Sequence, residues 1–127
     1  VGTTPAISID ENLVSSFGAT VIGKLSTDTS NSGNVTLDFT ASQNFLLTFT
    51  GNVTLDNPTT ENVGQSGFII VVQDGTGSRT LSLGTDYESP AGAGITLSTA
   101  ANAVDVIPYV IKAANSIQLG TPQLAFS

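Results

Sequence analysis

The sequence predicts an all-β fold: an antiparallel β-sandwich or jelly-roll-like domain preceded by an extended N-terminal arm. Three observations carry this. Apolar residues recur with period two. Strand-like runs return every 8 to 15 residues with Gly, Pro, Asn or Asp between them. No stretch shows the 3.6-residue period of a substantial helix.

The elements follow in order. Val35, Leu37 and Phe39 alternate with Asn34, Thr36, Asp38 and Thr40, which puts three apolar side chains on one face. Phe45, Leu47 and Phe49 repeat the pattern, with Leu46 apolar on the opposite face. Val53 and Leu55 follow. Residues 68–72 are Phe-Ile-Ile-Val-Val, a continuous run that reads as a central strand covered on both sides. Leu81 and Leu83, then Ile95 and Leu97, make short strands. Residues 104–111 are another apolar run, interrupted by Pro108, so an edge strand or a bulge is expected there. Ile117 and Leu119, then Leu124 and Phe126, end the pattern. Asp74-Gly75-Thr76-Gly77-Ser78 reads as a tight hairpin between a strand ending at Gln73 and one starting at Arg79. Residues 57–62 and 90–94 read as loops, and residues 98–103 as a helical turn. Gly33-Asn34-Val35-Thr36-Leu37-Asp38 recurs as Gly51-Asn52-Val53-Thr54-Leu55-Asp56. Two copies fall short of the three that a solenoid needs, so these are two strands, each entered by a Gly-Asn turn.

Residues 1–32 differ from the remainder. They are rich in Ser, Thr, Gly and Asn, and 26–33 approach low complexity. Such a segment reads as an arm that orders against a neighbouring subunit or as a first strand pair followed by a long loop, and the arm is preferred. The expected division is therefore an attachment arm over 1–32 and a β-sandwich domain over 33–127.

Composition narrows the function. Of 127 residues, 18 are Thr and 14 are Ser, while only 10% are charged, against roughly 25% in average globular chains. Hydroxyls in place of charge suit an extracellular surface. The net charge is −7, and the three cations Lys24, Arg79 and Lys112 are scattered. A phosphate-binding surface needs clustered cations, so nucleic acid and anionic membranes are not expected partners. No apolar run approaches the ~18–20 residues of a membrane-spanning helix. The N-terminus, Val1-Gly2-Thr3-Thr4-Pro5, has no signal-peptide pattern. No Met occurs, so the initiator has been removed or the chain is a portion of a longer one.

His and Cys are absent. That removes Ser–His and Cys–His nucleophiles, disulfides, and the usual zinc and copper ligand sets. No phosphate-binding glycine motif occurs in a strand-to-helix setting. Two carboxylate pairs remain, Asp10–Glu11 and Asp86–Glu88. In a strand, Asp86 and Glu88 would share a face about 6.5–7 Å apart, a spacing that glycoside hydrolysis tolerates. Their Gly- and Pro-rich surroundings favour a solvated loop. Asp28, Asn31, Asp56 and Asn57 could offer oxygens to calcium, but turn capping is the preferred reading. Arg79 is expected to pair with Asp74. Tyr87 and Tyr109 could stack on sugars; core or rim positions are preferred. No catalytic residue, cofactor site or metal site is expected, and the chain is read as a non-enzyme.

From Gly51 onward the chain resembles a recurrent module of tailed-bacteriophage virion surface proteins, of the tail-fibre and capsid-decoration type. The resemblance rests on an ordered string. Phe49-Thr50-Gly51-Asn52-Val53-Thr54-Leu55 is followed by Asn57-Pro58-Thr59 and by Gly64-Gln65-Ser66-Gly67 before an apolar strand. Then come residues 73–81, Gly84-Thr85-Asp86-Tyr87, Leu97-Ser98-Thr99-Ala100 and Ala103-Val104-Asp105-Val106. It implies a non-enzymatic β-sandwich on the virion surface, usually trimeric, serving as a capsid decoration or cement protein or a small fibre subunit. Its partners would be other virion proteins, either major capsid or tail and fibre proteins. Alternatives are a carbohydrate-binding receptor module of a tail fibre, with loops 57–64 and 84–94 carrying a host-surface glycan, and a subunit of an extracellular filament.

Overall fold

The structure is a computed structural model that describes residues 17–127. Eight strands form one sheet: β1 (Leu25–Thr36), β2 (Asn44–Asp56), β3 (Ser66–Gln73), β4 (Leu81–Leu83), β5 (Tyr87–Glu88), β6 (Val104–Ala113), β7 (Ser116–Leu119) and β8 (Gln123–Phe126). The order across the sheet is β1-β2-β3-β6-β7-β5, with β4 on β2 and β8 on β6. β4 and β5 are neighbours in sequence but attach to β2 and β7. They draw the two sides of the sheet together, so the sheet curls around a single core. The all-β, sandwich-like expectation holds.

Strand direction needs a correction. β6 is antiparallel to β3, β7 and β8. By contrast, β1, β3 and β4 all run parallel to β2. The chain therefore winds as a short parallel coil before it turns back. Ser26, Phe45 and Ile69 stack in one ladder; Val35, Leu55 and Leu83 stack in another. The two copies of the Gly-Asn-Val-Thr-Leu-Asp repeat lie in adjacent turns of this coil, offset by two residues, with Gly33 beside Val53. β4 supplies a third rung that the repeat does not announce.

Parallel neighbours need a return path. Residues 37–43 and 57–65 provide it as irregular chain, holding Leu37, Phe39 and Pro58 in the interior. Leu37 and Phe39 thus face inward as their alternation predicts, although β1 has already ended. Asp38 turns this connection by accepting from the backbone N–H groups of Thr40 and Ala41, both at 3.0 Å.

Three further expectations are revised. Residues 74–80 do not make a hairpin, because β3 and β4 lie end to end along β2. The glycines serve a bend: Gly77 has φ +76°, and a Cβ there would meet Thr99 O at 2.4 Å. Pro108 is in the interior of the sheet, paired with Phe68 on β3. Its carbonyl accepts from Gly120 N, so its missing N–H faces the gap between β7 and β8, where no ladder bond is lost. The short helical element is a 3-10 turn at Pro90–Gly92, and residues 98–103 form a turn with Asn102 at φ 60°.

β1 runs across the expected 32/33 boundary and places residues 25–32 beside β2. The rest of the expected arm, residues 1–16, lies outside the described residues.

The core gathers the inward residues of every strand except β8. Phe49, Leu55, Ile69, Ile107 and Ile117 are completely buried. Phe39 meets Phe45 and Tyr109 edge-on, with ring centroids 5.3 and 5.2 Å apart, an arrangement aromatic quadrupoles favour. The Tyr109 hydroxyl donates to Gln43 O at 2.5 Å and accepts from Gln65 Nε2 at 3.0 Å. Gln65 also donates to Ser42 O, and its Oε1 accepts from Asn62. This amide cluster closes the core beneath the loop after β2.

Candidate functional site

A surface concavity of about 740 Å³ is lined by β4, β5 and the loops around them, from Leu81 to Gly94. It falls on the 84–94 segment that the glycan alternative names. Its chemistry is spare. Glu88 is the one charged residue lining it, and Asp86 does not line it.

The Glu88 carboxylate is tied into the fold, and Asp86 is held through its backbone. Asp86 is buried; its backbone N–H donates to Asn57 Oδ1 at 3.0 Å, and its carbonyl accepts from Ile117 N. Glu88 accepts from Ser116 Oγ at 2.6 Å, from Gln118 Nε2 at 3.2 Å and from Lys112 Nζ at 3.2 Å. These bonds, Ser116 foremost, hold the Glu88 carboxyl below its ordinary range. A carboxylate kept ionised by three donors is a poor proton donor. Between the two, Tyr87 points into the core, and burial first, then the charges of Asp86, Glu61 and Asp56, push its hydroxyl up. Asp10 and Glu11 lie outside the described residues.

The sugar-stacking tyrosines are core residues. Tyr87 and Tyr109 are buried, so neither presents a ring face to solvent. The exposed aromatics are Phe17, Phe68 and Phe126; none of them lines the concavity.

Three of the four calcium-type residues, Asp28, Asn31 and Asn57, are tied into hydrogen bonds of the fold. Asp28 Oδ1 accepts from Ser30 N at 3.0 Å. Asn31 is buried and donates to the carbonyls of Asp28 and Thr48. Asn57 bridges to Thr85 Oγ1 at 2.8 Å and to Asp86 N. Among the described residues, no group of three or more Asp and Glu is placed to hold a metal ion.

Arg79 pairs with Asp74 within the loop between β3 and β4, with Nη2 to Oδ2 at 2.8 Å and Nε within reach of both oxygens. The Arg79 guanidinium, aided by the N–H groups of Gly77 and Thr76, holds the Asp74 carboxyl down to about 2. Gln73 completes the loop, accepting from Arg79 N and donating to Arg79 O.

Two features escape sequence reading. Asp105, buried on β6, accepts from Ser98 N, Ser98 Oγ and Ala125 N at 2.7, 2.7 and 2.9 Å. It fastens β8 and the turn before β6 to one point. Its signal was a lone acid inside an apolar run, which normally demands partners. The second is the outward face of β3 and β6. Phe68 is 50% exposed, and Ile70 and Val72 are half-buried, so the strand read as covered on both sides is covered on one. No part of the described chain packs on the other.

A family model described as "Putative phage tail fibre C-terminal domain" matches residues 29–116, a span from within β1 to the start of β7. No curated protein and no solved structure matches the chain.

Proposed function

The chain belongs to the phage tail fibre C-terminal domain family, and from that premise we propose that it is a non-enzymatic tail-fibre module working as a homotrimer. Its role is structural, its place is on the extracellular virion particle, and its partners are other virion proteins. The observation that carries the finer reading is the family match across the coil and the central sheet. The engagement of the Glu88 carboxylate in structural bonds supports the non-enzymatic part. In the concavity beside β4 and β5 the one lining aromatic, Tyr87, is 6% exposed and offers a sugar little ring face, and the filament alternative rests on the edge position of β1.

The attachment role expected for residues 1–32 is part of this proposal, with residues 25–32 already built into β1. Deleting residues 1–24 should leave the sheet folded by circular dichroism and abolish incorporation into particles. Location is tested by electron microscopy of particles labelled with antibody against this chain. Label on the tail supports the fibre reading. Label confined to heads contradicts it and favours capsid decoration.

A further inference from the structure

β3 and β6 are apolar on both faces. Inward, Ile69, Val71 and Ile107 are buried in the core. Outward, Phe68, Ile70, Val106, Pro108, Val110 and Phe126 form one patch. Register makes it continuous: Phe68 is beside Pro108, Ile70 beside Val106, and Val104, one step along β6, beside Phe126. Phe68, Phe126 and Val110 are 50%, 52% and 40% exposed. A buried aromatic covers about 150–250 Å², so the two half-exposed rings alone leave roughly 200 Å² of apolar surface in water. With the aliphatic neighbours the patch reaches roughly 400 Å², within the range of the largest patch a monomer carries.

The fold does not require this. The outward positions of β2 include Thr48 and Thr50, and polar residues on β3 and β6 would leave the core untouched.

The relief of the patch favours a copy of itself. The Phe68–Pro108 ridge stands between two hollows. One, about 400 Å³, is floored by Gly67. The other, about 350 Å³, lies beside Val110, Gln118 and Gly120. A Cβ at Gly120 would sit 2.7 Å from Pro108 Cγ, so the ridge needs that glycine. Ridge and hollow on one face are what lets each copy engage the next around a closed symmetry axis. Charge points the same way. The six patch residues are uncharged, whereas the chain carries −7. Two copies meeting on these six residues bring no carboxylates together. Two such faces bury roughly 800 Å² of apolar surface, the dry centre of an interface whose polar rim supplies the remainder.

We propose that the outer face of β3, β6 and β8 is buried against the same face of a second copy of this chain, with Phe68 of each copy entering the hollow beside Gly120 of the next. This rests on the oligomeric reading above and adds to it which face is used.

Sedimentation of the full chain tests it. Wild type should sediment as an oligomer. Phe68→Glu and Val106→Lys place a charge in a dry interface and should weaken association on the order of 100-fold or more, giving folded monomers by circular dichroism. Thr29→Lys, on exposed β1, should keep the wild-type mass. If Val106→Lys unfolds, Val110→Lys, further from the core, gives the answer. A folded face variant with the wild-type mass overturns the assignment of the face. A monomeric wild type overturns the oligomeric reading itself, while tail labelling tests location independently of both.

Discussion

The two faces of β3 and β6 are made of the same kinds of residue and meet different surroundings. Ile69, Val71 and Ile107 point inward and are sealed by the curl of the sheet. Phe68, Ile70 and Val106 point outward, and no element of the described chain covers them. β2 shows the alternative on the same sheet: Phe45, Leu47 and Phe49 are buried, while Thr48 and Thr50 face out. An apolar run in a strand therefore records how much of it is to be buried, without saying by what. One face is buried by folding; the other is left for association.

Substitutions on the two adjoining strands should separate the two roles. Ile107→Ala removes a completely buried side chain and should cost about 2–5 kcal/mol of folding stability. Phe68→Ala, outward, should stay within about 1 kcal/mol. Chemical denaturation measures both, with Val110→Lys in each chain to keep association out of the reading. Equal losses would break the distinction between the faces.

Asp105 links the faces, since it points inward yet holds the β8 backbone that carries Phe126. Asp105→Ala strands three donors and should cost about 3 kcal/mol. It should also release β8, read as faster amide exchange at Ala125. Asp105→Asn, which keeps an acceptor, should lose less.

A smaller effect is expected at Gly77, where positive φ and the contact with Thr99 O both oppose a side chain. Gly77→Ala should cost about 1–3 kcal/mol by disturbing the bend between β3 and β4, and leave the oligomeric mass unchanged.

The smallest effect is electrostatic. The Asp74 carboxyl titrates at about 2 in the folded chain, below its ordinary 3.8. A depressed folded value means stability that is present above pH 3.8 and lost as pH falls toward 2. Thermal unfolding from pH 5 to 2 should show a shallower acid decline in Asp74→Asn than in wild type, with the same mass at neutral pH.

Much of the fold was legible in residue order. Period two placed the inward faces of β2, β4 and β7, and even the interior positions of Leu37 and Phe39 beyond the end of β1. Strand direction was not legible, because a parallel neighbour and a hairpin partner have the same alternation. The glycines of residues 74–78 suit a hairpin and a bend equally; which one forms depends on both flanking strands finding β2. Pro108 misled because its missing N–H is harmless only where β7 stops and β8 starts, a juxtaposition made by the fold. At the candidate site, the carboxylates and amides of residues 57 and 86–88 were visible as polar groups. Their partners Ser116, Gln118 and Thr85 come from across the fold, and sequence proximity could not name them.

The central claim is that this chain is a tail-fibre module whose outer sheet face is its assembly face. An electron-microscopy map of the native particle tests it most directly. Density for this chain is expected on the tail, with the Phe68–Pro108 ridge buried against a neighbouring copy. Density on the head, or on the tail with that ridge open to solvent, would contradict it.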